Sequence, residues 1–361
     1  MMLYKLLSHS DRERFEPAVI SLIERGTLGA RIETLGIPVF AVGMKRGMPT
    51  PVAIWHLIRL ARRLKPALLQ GWMPHGNLAA LLIGTFVPGP VPVMWNIRRS
   101  LYSSEYDKPL TKATTVLGAQ LSGLPVKILY NSRVGAVQHE EFGYRPDKTL
   151  VVPNGFDTEL FAPSVEDRES VRVELGLAED VIIIGLAGRY SPTKDHANCL
   201  RAAKLLLKSH ADVHFVLFGR EVDWKNQALG RLVRDLGIGE RVHLLGERHD
   251  VPRLTAALDI ASSSSFEEGF SNVVGEAMSC GVPCVVTDVG DSAWIVGETG
   301  RVVPPCDPEA LCAAWRGLIE MEAAARRKLG TRARRRIKDE FSIEKIAQQY
   351  DKIYGEQLHG T

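Results

Sequence analysis

Glu268 and Glu276 bracket the segment Glu267-Glu268-Gly269-Phe270-Ser271-Asn272-Val273-Val274-Gly275-Glu276-Ala277-Met278. A glycine-containing turn there leads into a short helix. A carboxylate accepts two hydrogen bonds from vicinal hydroxyls, which is how a sugar such as ribose is held. Glu276, about one turn into the helix, suits that work or simply balances the helix dipole. Glu268 precedes the turn and points either to the atom beyond a ligand's phosphates or into solvent. Ser271 or Asn272 can cap the helix, and its first amides attract an anion. Gly269 permits close backbone approach.

A second patch should converge on this one. Gly188-Arg189 follows the apolar run VIIIGLA, and Lys194 comes five residues after Arg189. A planar guanidinium and a mobile ammonium over one sheet edge suit a diphosphate; ordinary surface charge is the plain alternative. With the helix amides they form a phosphate grip. Two carboxylates alone would also suit a glycosidase, but a diphosphate grip beside them implies a nucleotide-linked substrate.

These groups need a sheet edge to stand on. LDIASSSS before the motif and GVPCVVTD after it read as strands. So do VIIIGLAGR, VHFVLFG, VHLLG and Arg301-Val302-Val303, with helices DHANCLRAAKLLLKSH, WKNQALGRLVRDLG, VPRLTAAL and DPEALCAAWRGLIE between or after them. The first half alternates likewise: helix MMLYKLL, strands FEPAVISL and GIPVFAVGM, helix PVAIWHLIRLARRLK, strand ALLQGW, helix HGNLAALLIGTF, strands PVPVMWNI and VKILYNS, helix VGAVQHEEFG and the extended TLVVPNGFD. Short Val- and Ile-rich runs separated by helices predict parallel sheets covered on both faces. Pro163–Asp180 reads as a boundary. FSIEKIAQQYDKIY predicts a last amphipathic helix through Phe341, Ile343, Ile346, Tyr350 and Ile353.

Length and composition bound the function. A chain of 361 residues suggests two domains. With 45% apolar and 24% charged residues and a net charge of +3, nothing points to nucleic acid. The five cysteines read as buried thiols of a reducing compartment, so the expected location is cytoplasmic. MMLYKLLSHSDRERFE becomes charged too soon for a signal peptide. The apolar stretch Leu78–Val87 is too short to span a bilayer. The basic run from Arg326 to Lys338 reads as a solvated helix face or as peripheral contact with an anionic membrane. No G-x-G-x-x-G follows the first strand of either half, which argues against a dehydrogenase. Neither Asp-x-Asp nor HExxH occurs, so no metal or other cofactor is expected.

The motifs EGFSNVVGEAMSCGVPCVVTDVG and TGRVVPPCDPEAL, with Gly188-Arg189 and Lys194, resemble those of the retaining GT-B glycosyltransferases of family 4, the "glycosyltransferases group 1" domain. LLQGWMPHGNLAALL, PVMWNIRRSLY, ILYNS and LVVPNGFD resemble bacterial members acting in surface-polysaccharide assembly. The resemblance implies an α/β fold of GT-B type: two Rossmann-like domains whose parallel sheets face each other across a cleft. Residues 1–165 would be the acceptor-side domain, 166–338 the nucleotide-sugar domain, and 339–361 a helix packing back towards the first. It implies that Gly188, Arg189 and Lys194 bind the donor diphosphate, and that Glu268 and the amides of Gly269, Phe270, Ser271 and Asn272 hold sugar and phosphate. Glu276 would bind ribose and Arg220 line the cleft edge. The donor would be UDP- or GDP-linked, the acceptor a glycan or lipid-linked hydroxyl.

Two features depart from the family. The usual first strand and glycine-rich loop are absent, which should leave sheet edges unpaired and suggests a longer natural protein. Where many members carry a His after the fourth strand, this chain has Asn96, Arg98 and Arg99. These, with His75, are the acceptor-side candidates; capping, packing or surface charge are their structural alternatives. Asn154-Gly155-Phe156-Asp157 matches the family's N-G-x-D, with Gly155 expected to serve a turn. Competing readings are a sugar-nucleotide epimerase or hydrolase on the same scaffold, or a catalytically impaired assembly protein.

Overall fold

The computed structural model describes residues 1–45, 49–101 and 109–359. The chain forms two compact units, one of Met1–Gly155 with Ile343 onward, the other of Phe156–Ser342. Each is a parallel α/β structure.

In the first unit the strands fall into two sheets. β1 (Val19–Ser21) pairs with β2 (Val39–Ala41). β3 (Leu69–Trp72), β4 (Val93–Ile97), β5 (Lys127–Tyr130) and β6 (Thr149–Val151) pair in sequence order. All five residues of β4 are buried, the pattern of a strand covered on both faces. The helix Ile343–His359 packs Ile346, Ala347, Tyr350 and Ile353 with Leu6, Met94 and Leu129. Phe341 departs from its expected place in this stripe. It lies before the helix and packs in the second unit with Phe156 and Phe270, because the chain leaves helical geometry at Ser342, φ −62° and ψ 150°. Gly155 also has a reason other than a turn: a Cβ there would lie 2.8 Å from the Ile343 Cα. Asp157 does serve a turn, accepting from the Leu160 amide at 2.8 Å.

The second unit has six parallel strands in the order β12-β11-β10-β7-β8-β9. They are β7 (Ile183–Ala187), β8 (His214–Phe218), β9 (Val242–Leu244), β10 (Ile260–Ser263), β11 (Cys284–Thr287) and β12 (Arg301–Val303). This is the doubly wound order, with its reversal between β7 and β10. Its helices begin where side chains say they should. Ser164, Asp195, Asn226 and Asp307 each accept a backbone amide at a helix start. Arg168 and Arg172 of the helix Val165–Leu175 both reach Asp259 at 2.8 Å.

Two expectations are corrected here. The basic run is only partly a solvated face. Along helix Ala323–Arg336, Arg326 donates to the Leu318 carbonyl, Arg334 to those of Phe161, Thr158 and Ser279, and Arg336 to those of Trp294 and Ile295. These three guanidiniums are thus engaged within the second unit. Cys199, Cys280, Cys284 and Cys312 are buried free thiols, but Cys306 is exposed, at φ +58° in the turn after β12. Among the described residues no helix is long and apolar enough to cross a membrane.

Candidate functional site

Where an open parallel sheet reverses its strand order, the loops leaving the carboxyl ends of the two central strands diverge and open a crevice. Here these are the loop after β7, with Gly188, Arg189 and Lys194, and the loop after β10, with Ser264 to Ser271. The sequence placed both candidate phosphate-binding patches on these loops.

The first loop stays close to its sheet because of paired glycines. A Cβ on Gly219, after β8, would lie 2.2 Å from the Gly188 carbonyl oxygen. The Gly188 amide donates to Phe218 at 2.9 Å and that of Tyr190 to Arg220 at 2.8 Å. The chain then turns through Pro192–Lys194, and Asp195 caps the next helix from φ +44°. The second loop is laced to this turn. The Ser264 hydroxyl lies 3.0 Å from the carbonyls of both Lys194 and Asp195, and the Phe266 amide donates to Thr193 at 3.0 Å.

Lys194 and Glu268 therefore meet. The lysine stem runs over Gly188, and its ammonium donates to Glu268 Oε1, which also accepts from Ser265 Oγ at 2.9 Å. Their side chains are 21% and 13% exposed, so the pair is well shielded from solvent. Glu268 is thus not the solvent-exposed loop residue of its plain alternative. His196, just beyond Lys194, is buried. Burial first, and the Lys194 charge second, lower its pKa from 6.5 to about 4, so it is neutral at pH 7.

The turn from Glu268 into the helix is held from below and behind. Gly290, at φ +54°, approaches so closely that a Cβ would lie 2.4 Å from the Glu268 carbonyl oxygen. The Asp291 amide donates to Gly269 at 2.9 Å. Phe270 points inward, its ring 6.1 Å from Phe156 and 6.2 Å from both Phe341 and Trp294. It anchors the loop by its side chain, leaving only its backbone for a ligand.

The helix is Asn272–Ser279 with Ser271 at the N-cap position. The expected cap is not made by Ser271: its hydroxyl is buried without a hydrogen-bond partner. The first helix amides are therefore not closed off by that side chain and keep their attraction for an anion. Asn272 is exposed beside it. Glu276 is half-buried and lines a small cavity with Ala187, Ser262, Ser263 and Val273, between the ends of β7 and β10. Its neighbour Gly275 lets Phe156 pack on the helix, since a Cβ there would lie 2.0 Å from that ring.

The structure brings Lys194, Glu268 and the helix start together, with Glu276 at the same crevice. Arg189 and Arg220 sit at the ends of β7 and β8 with exposed side chains, and Arg220 lies 3.7 Å from Glu221. Sequence reasoning missed Ser264, Ser265, Gly219 and Gly290. The signal for the serines was present: consecutive hydroxyls at the carboxyl end of an apolar strand.

The acceptor-side candidates belong to the first unit. His75 is exposed in the first turn of helix Met73–Gly84. Asn96 is fully buried, which removes it as a surface group. Its side chain donates to the Tyr350 hydroxyl at 2.7 Å, and its amide donates to Asn77 Oδ1 at 3.1 Å. Arg98 lies 5.1 Å from the Trp72 ring and donates to Asn154 Oδ1 and, at 3.2 Å, to Asn96 Oδ1. Burial lowers its pKa. Arg98 is thus held in an internal polar network, while Arg99 is half-buried next to it.

Two family models match the chain: "Glycosyltransferase Family 4" over residues 1–160 and "Glycosyl transferases group 1" over 181–321. The D-inositol 3-phosphate glycosyltransferase of Geodermatophilus obscurus is 32% identical over 253 residues, 66% of this chain and 54% of that protein. The UDP-Gal:alpha-D-GlcNAc-diphosphoundecaprenol alpha-1,3-galactosyltransferase of Escherichia coli is 31% identical over 153 residues, 42% of this chain and 39% of that protein. The chain spans about half the length, or less, of the curated relatives it matches. HepE of Anabaena, crystallised with UDP, shares the fold with a TM-score of 0.84 at 22% identity, covering 98% of this chain and 95% of its own. A glycosyltransferase of Rickettsia africae does so with a TM-score of 0.80 at 18% identity, covering 100% and 95%.

Proposed function

Because the chain belongs to the family 4 glycosyltransferases, with the group 1 domain in its second unit, we propose that it moves a sugar from a nucleoside-diphosphate sugar to a hydroxyl of a glycan or lipid-linked acceptor. The role is in surface-polysaccharide or glycolipid biosynthesis. The observation that carries this reading is the meeting of Lys194, Glu268 and Ser265 at the β7–β10 crevice, beside a helix start that Ser271 leaves open.

In this reading Arg189, Lys194 and the amides from Gly269 to Asn272 hold the diphosphate. Glu268 meets the transferred sugar, Glu276 the ribose, and Arg220 the edge of the nucleotide. The bond from the anomeric carbon to the phosphate oxygen breaks, and a bond to the acceptor oxygen forms on the same face. The acceptor proton passes to the departing diphosphate. Arg189, Lys194 and the helix amides meet the charge that develops on the leaving group, work that a divalent metal does in other designs. The donor is UDP-linked, a choice supported by HepE of the same fold, crystallised with UDP and with UDP-glucose. The E. coli relative, named for a diphosphoundecaprenol acceptor, supports a lipid-linked one. The acceptor binds through the first unit, with His75 and Arg99 as its contacts, on the cytoplasmic side of the membrane.

A panel of UDP- and GDP-sugars, scored for binding and for turnover with and without EDTA, tests the reading. Turnover of a UDP-sugar undiminished by EDTA is expected. Binding of no nucleotide sugar overturns the enzyme, and loss of turnover to EDTA with recovery on Mg²⁺ overturns metal independence.

A further inference from the structure

Between Glu33 and Glu105 the chain carries no carboxylate side chain, yet overall it is nearly balanced, with 45 basic and 42 acidic residues. Basic residues do occur in this stretch, and Arg59, Arg62, Arg63 and Lys65 all fall in or just after one helix, Pro51–Leu64. That helix turns Leu57 and Ala61 inward against Ile83 and Val87. Its outer side exposes those four cations together with Val52 at 64% and Trp55 at 54%. Arg59 lies 5.2 Å from the Trp55 ring.

The neighbouring helix, Met73–Gly84, continues the surface. Arg62 Nε donates to the Phe86 carbonyl at 2.7 Å, which ties the two helices at this end. Phe86 and Leu82 are themselves exposed, at 42% and 37%. Helix Pro109–Leu121 also packs on Met73–Gly84 and exposes Leu110, Val116 and Leu117. Single exposed apolar residues are ordinary, but several on adjoining helices, beside cations whose own stretch of sequence carries no carboxylate, suit a docking surface.

We propose that this face of the first unit docks on an anionic lipid bilayer. The chemistry selects that occupant. A soluble polyanion would use the arginines but gains nothing from Trp55, Phe86, Val52 and Leu82. An apolar protein partner would gain nothing from the exposed Arg59, Arg63 and Lys65. A bilayer interface takes both, the aromatic and aliphatic groups at the headgroup boundary and the cations on lipid phosphates. The surface stands on its own; its use in presenting a lipid-linked acceptor rests on the function proposed above. It also relocates membrane contact away from helix Ala323–Arg336, whose Arg326, Arg334 and Arg336 are engaged internally.

The test is co-sedimentation of the full chain with phosphatidylcholine vesicles, with and without phosphatidylglycerol. Binding is expected only with the anionic lipid, and weaker at about 0.5 M salt, where charges are screened within a few ångströms. Arg59→Glu with Arg63→Glu should weaken it at least tenfold, since each cation at such a surface contributes about fivefold. Trp55→Ser with Phe86→Ser should weaken it comparably, while Arg327→Glu with Lys328→Glu should change it less than twofold. Nucleotide binding by the second unit and melting curves report whether each variant is folded. If one is not, Arg59→Gln alone and the salt series carry the test. No preference for anionic vesicles, equal loss from the Arg327 and Lys328 pair, or a dimer broken by the same variants without vesicle binding would each overturn the proposal. None of these outcomes depends on turnover, so failure here and failure of the transferase reading are separable.

Discussion

Replacing Glu268 by Gln should separate phosphate binding from sugar transfer. Without ligand, Lys194 donates to the Glu268 carboxylate, and Ser265 Oγ donates to the same oxygen at 2.9 Å. A hydrogen bond between charged, shielded groups contributes about 1.5–3 kcal/mol. An incoming diphosphate must share or displace it. Gln is isosteric but neutral, so in Glu268→Gln the ammonium turns to the phosphates at lower cost. Nucleoside diphosphate should bind as tightly as to wild type, or up to about tenfold more tightly, equivalent to about 1.4 kcal/mol. Turnover should fall by about 10² or more, because the carboxylate proposed to meet the sugar is gone. Lys194→Ala should instead lose about 10- to 100-fold in nucleotide affinity, the same 1.5–3 kcal/mol seen from the other side. Titration calorimetry with the nucleoside diphosphate and turnover with the matching nucleotide sugar give the two readouts. If Glu268→Gln weakened nucleotide binding as much as Lys194→Ala, the carboxylate would be holding the ammonium in place rather than competing for it, and the reasoning fails.

Arg189→Ala and Glu276→Ala should each weaken donor binding about tenfold or more. Only Glu276→Ala should become indifferent to a deoxyribose nucleotide; equal discrimination in both variants would remove Glu276 from the ribose. Gly290→Ala should abolish donor binding, since φ is +54° and the new Cβ would lie 2.4 Å from the Glu268 carbonyl; retained affinity would show that the turn can shift freely. Gly275→Ala should lower the melting temperature, overpacking against Phe156 by about 1–3 kcal/mol, with partial rescue by Phe156→Leu; a variant that melts like wild type refutes that packing. The buried His139, His196 and His214 each have a pKa lowered from 6.5 to about 4, chiefly by burial. A base held neutral by the fold stabilises it above the unfolded pKa and loses that stability as pH falls. Melting temperature should therefore drop between pH 6.5 and 4, at about 1.4 kcal/mol per pH unit for each histidine; a flat profile there would exclude the three as neutral buried groups.

Much of the second unit was readable because its signals are local. Most strands lie in or beside short apolar runs, and Asp195 and Asp307 cap helices from the adjacent position, at 3.0 and 2.8 Å. The order β12-β11-β10-β7-β8-β9 then brings Lys194 and Glu268 together without any further information from the motif itself. What escaped was long-range. Gly290 is 22 residues from Glu268, and nothing in DVGD says which carbonyl it must approach. Ser264 was visible only as the tail of a strand, although its hydroxyl ties the Lys194 turn. Helices Gly26–Glu33 and Pro109–Leu121 were missed as well, the first with only Gly29 and Ile32 buried, too short a stripe to register as a period.

The same limit explains why residue type alone did not show the surroundings of Asn96 and Arg98 in the first unit. Asn96 and Arg98 stand at the carboxyl end of a strand, where polar groups commonly meet ligands. Yet they close a network with Tyr350 and Asn154, at separations of 254 residues for Asn96–Tyr350 and 56 for Arg98–Asn154. A buried amide and guanidinium need partners of this kind, because an unpaired one costs several kcal/mol. The partners lie on elements whose proximity only the fold creates. Charge is ambiguous in the same way. The arginines of helix Ala323–Arg336 outnumber those of Pro51–Leu64, but a count does not say which of them face solvent. Three of them, Arg326, Arg334 and Arg336, satisfy carbonyls inside the second unit. The smaller set beside Trp55 and Phe86 stays exposed, and exposed cations next to exposed apolar groups are what an external surface can recognise.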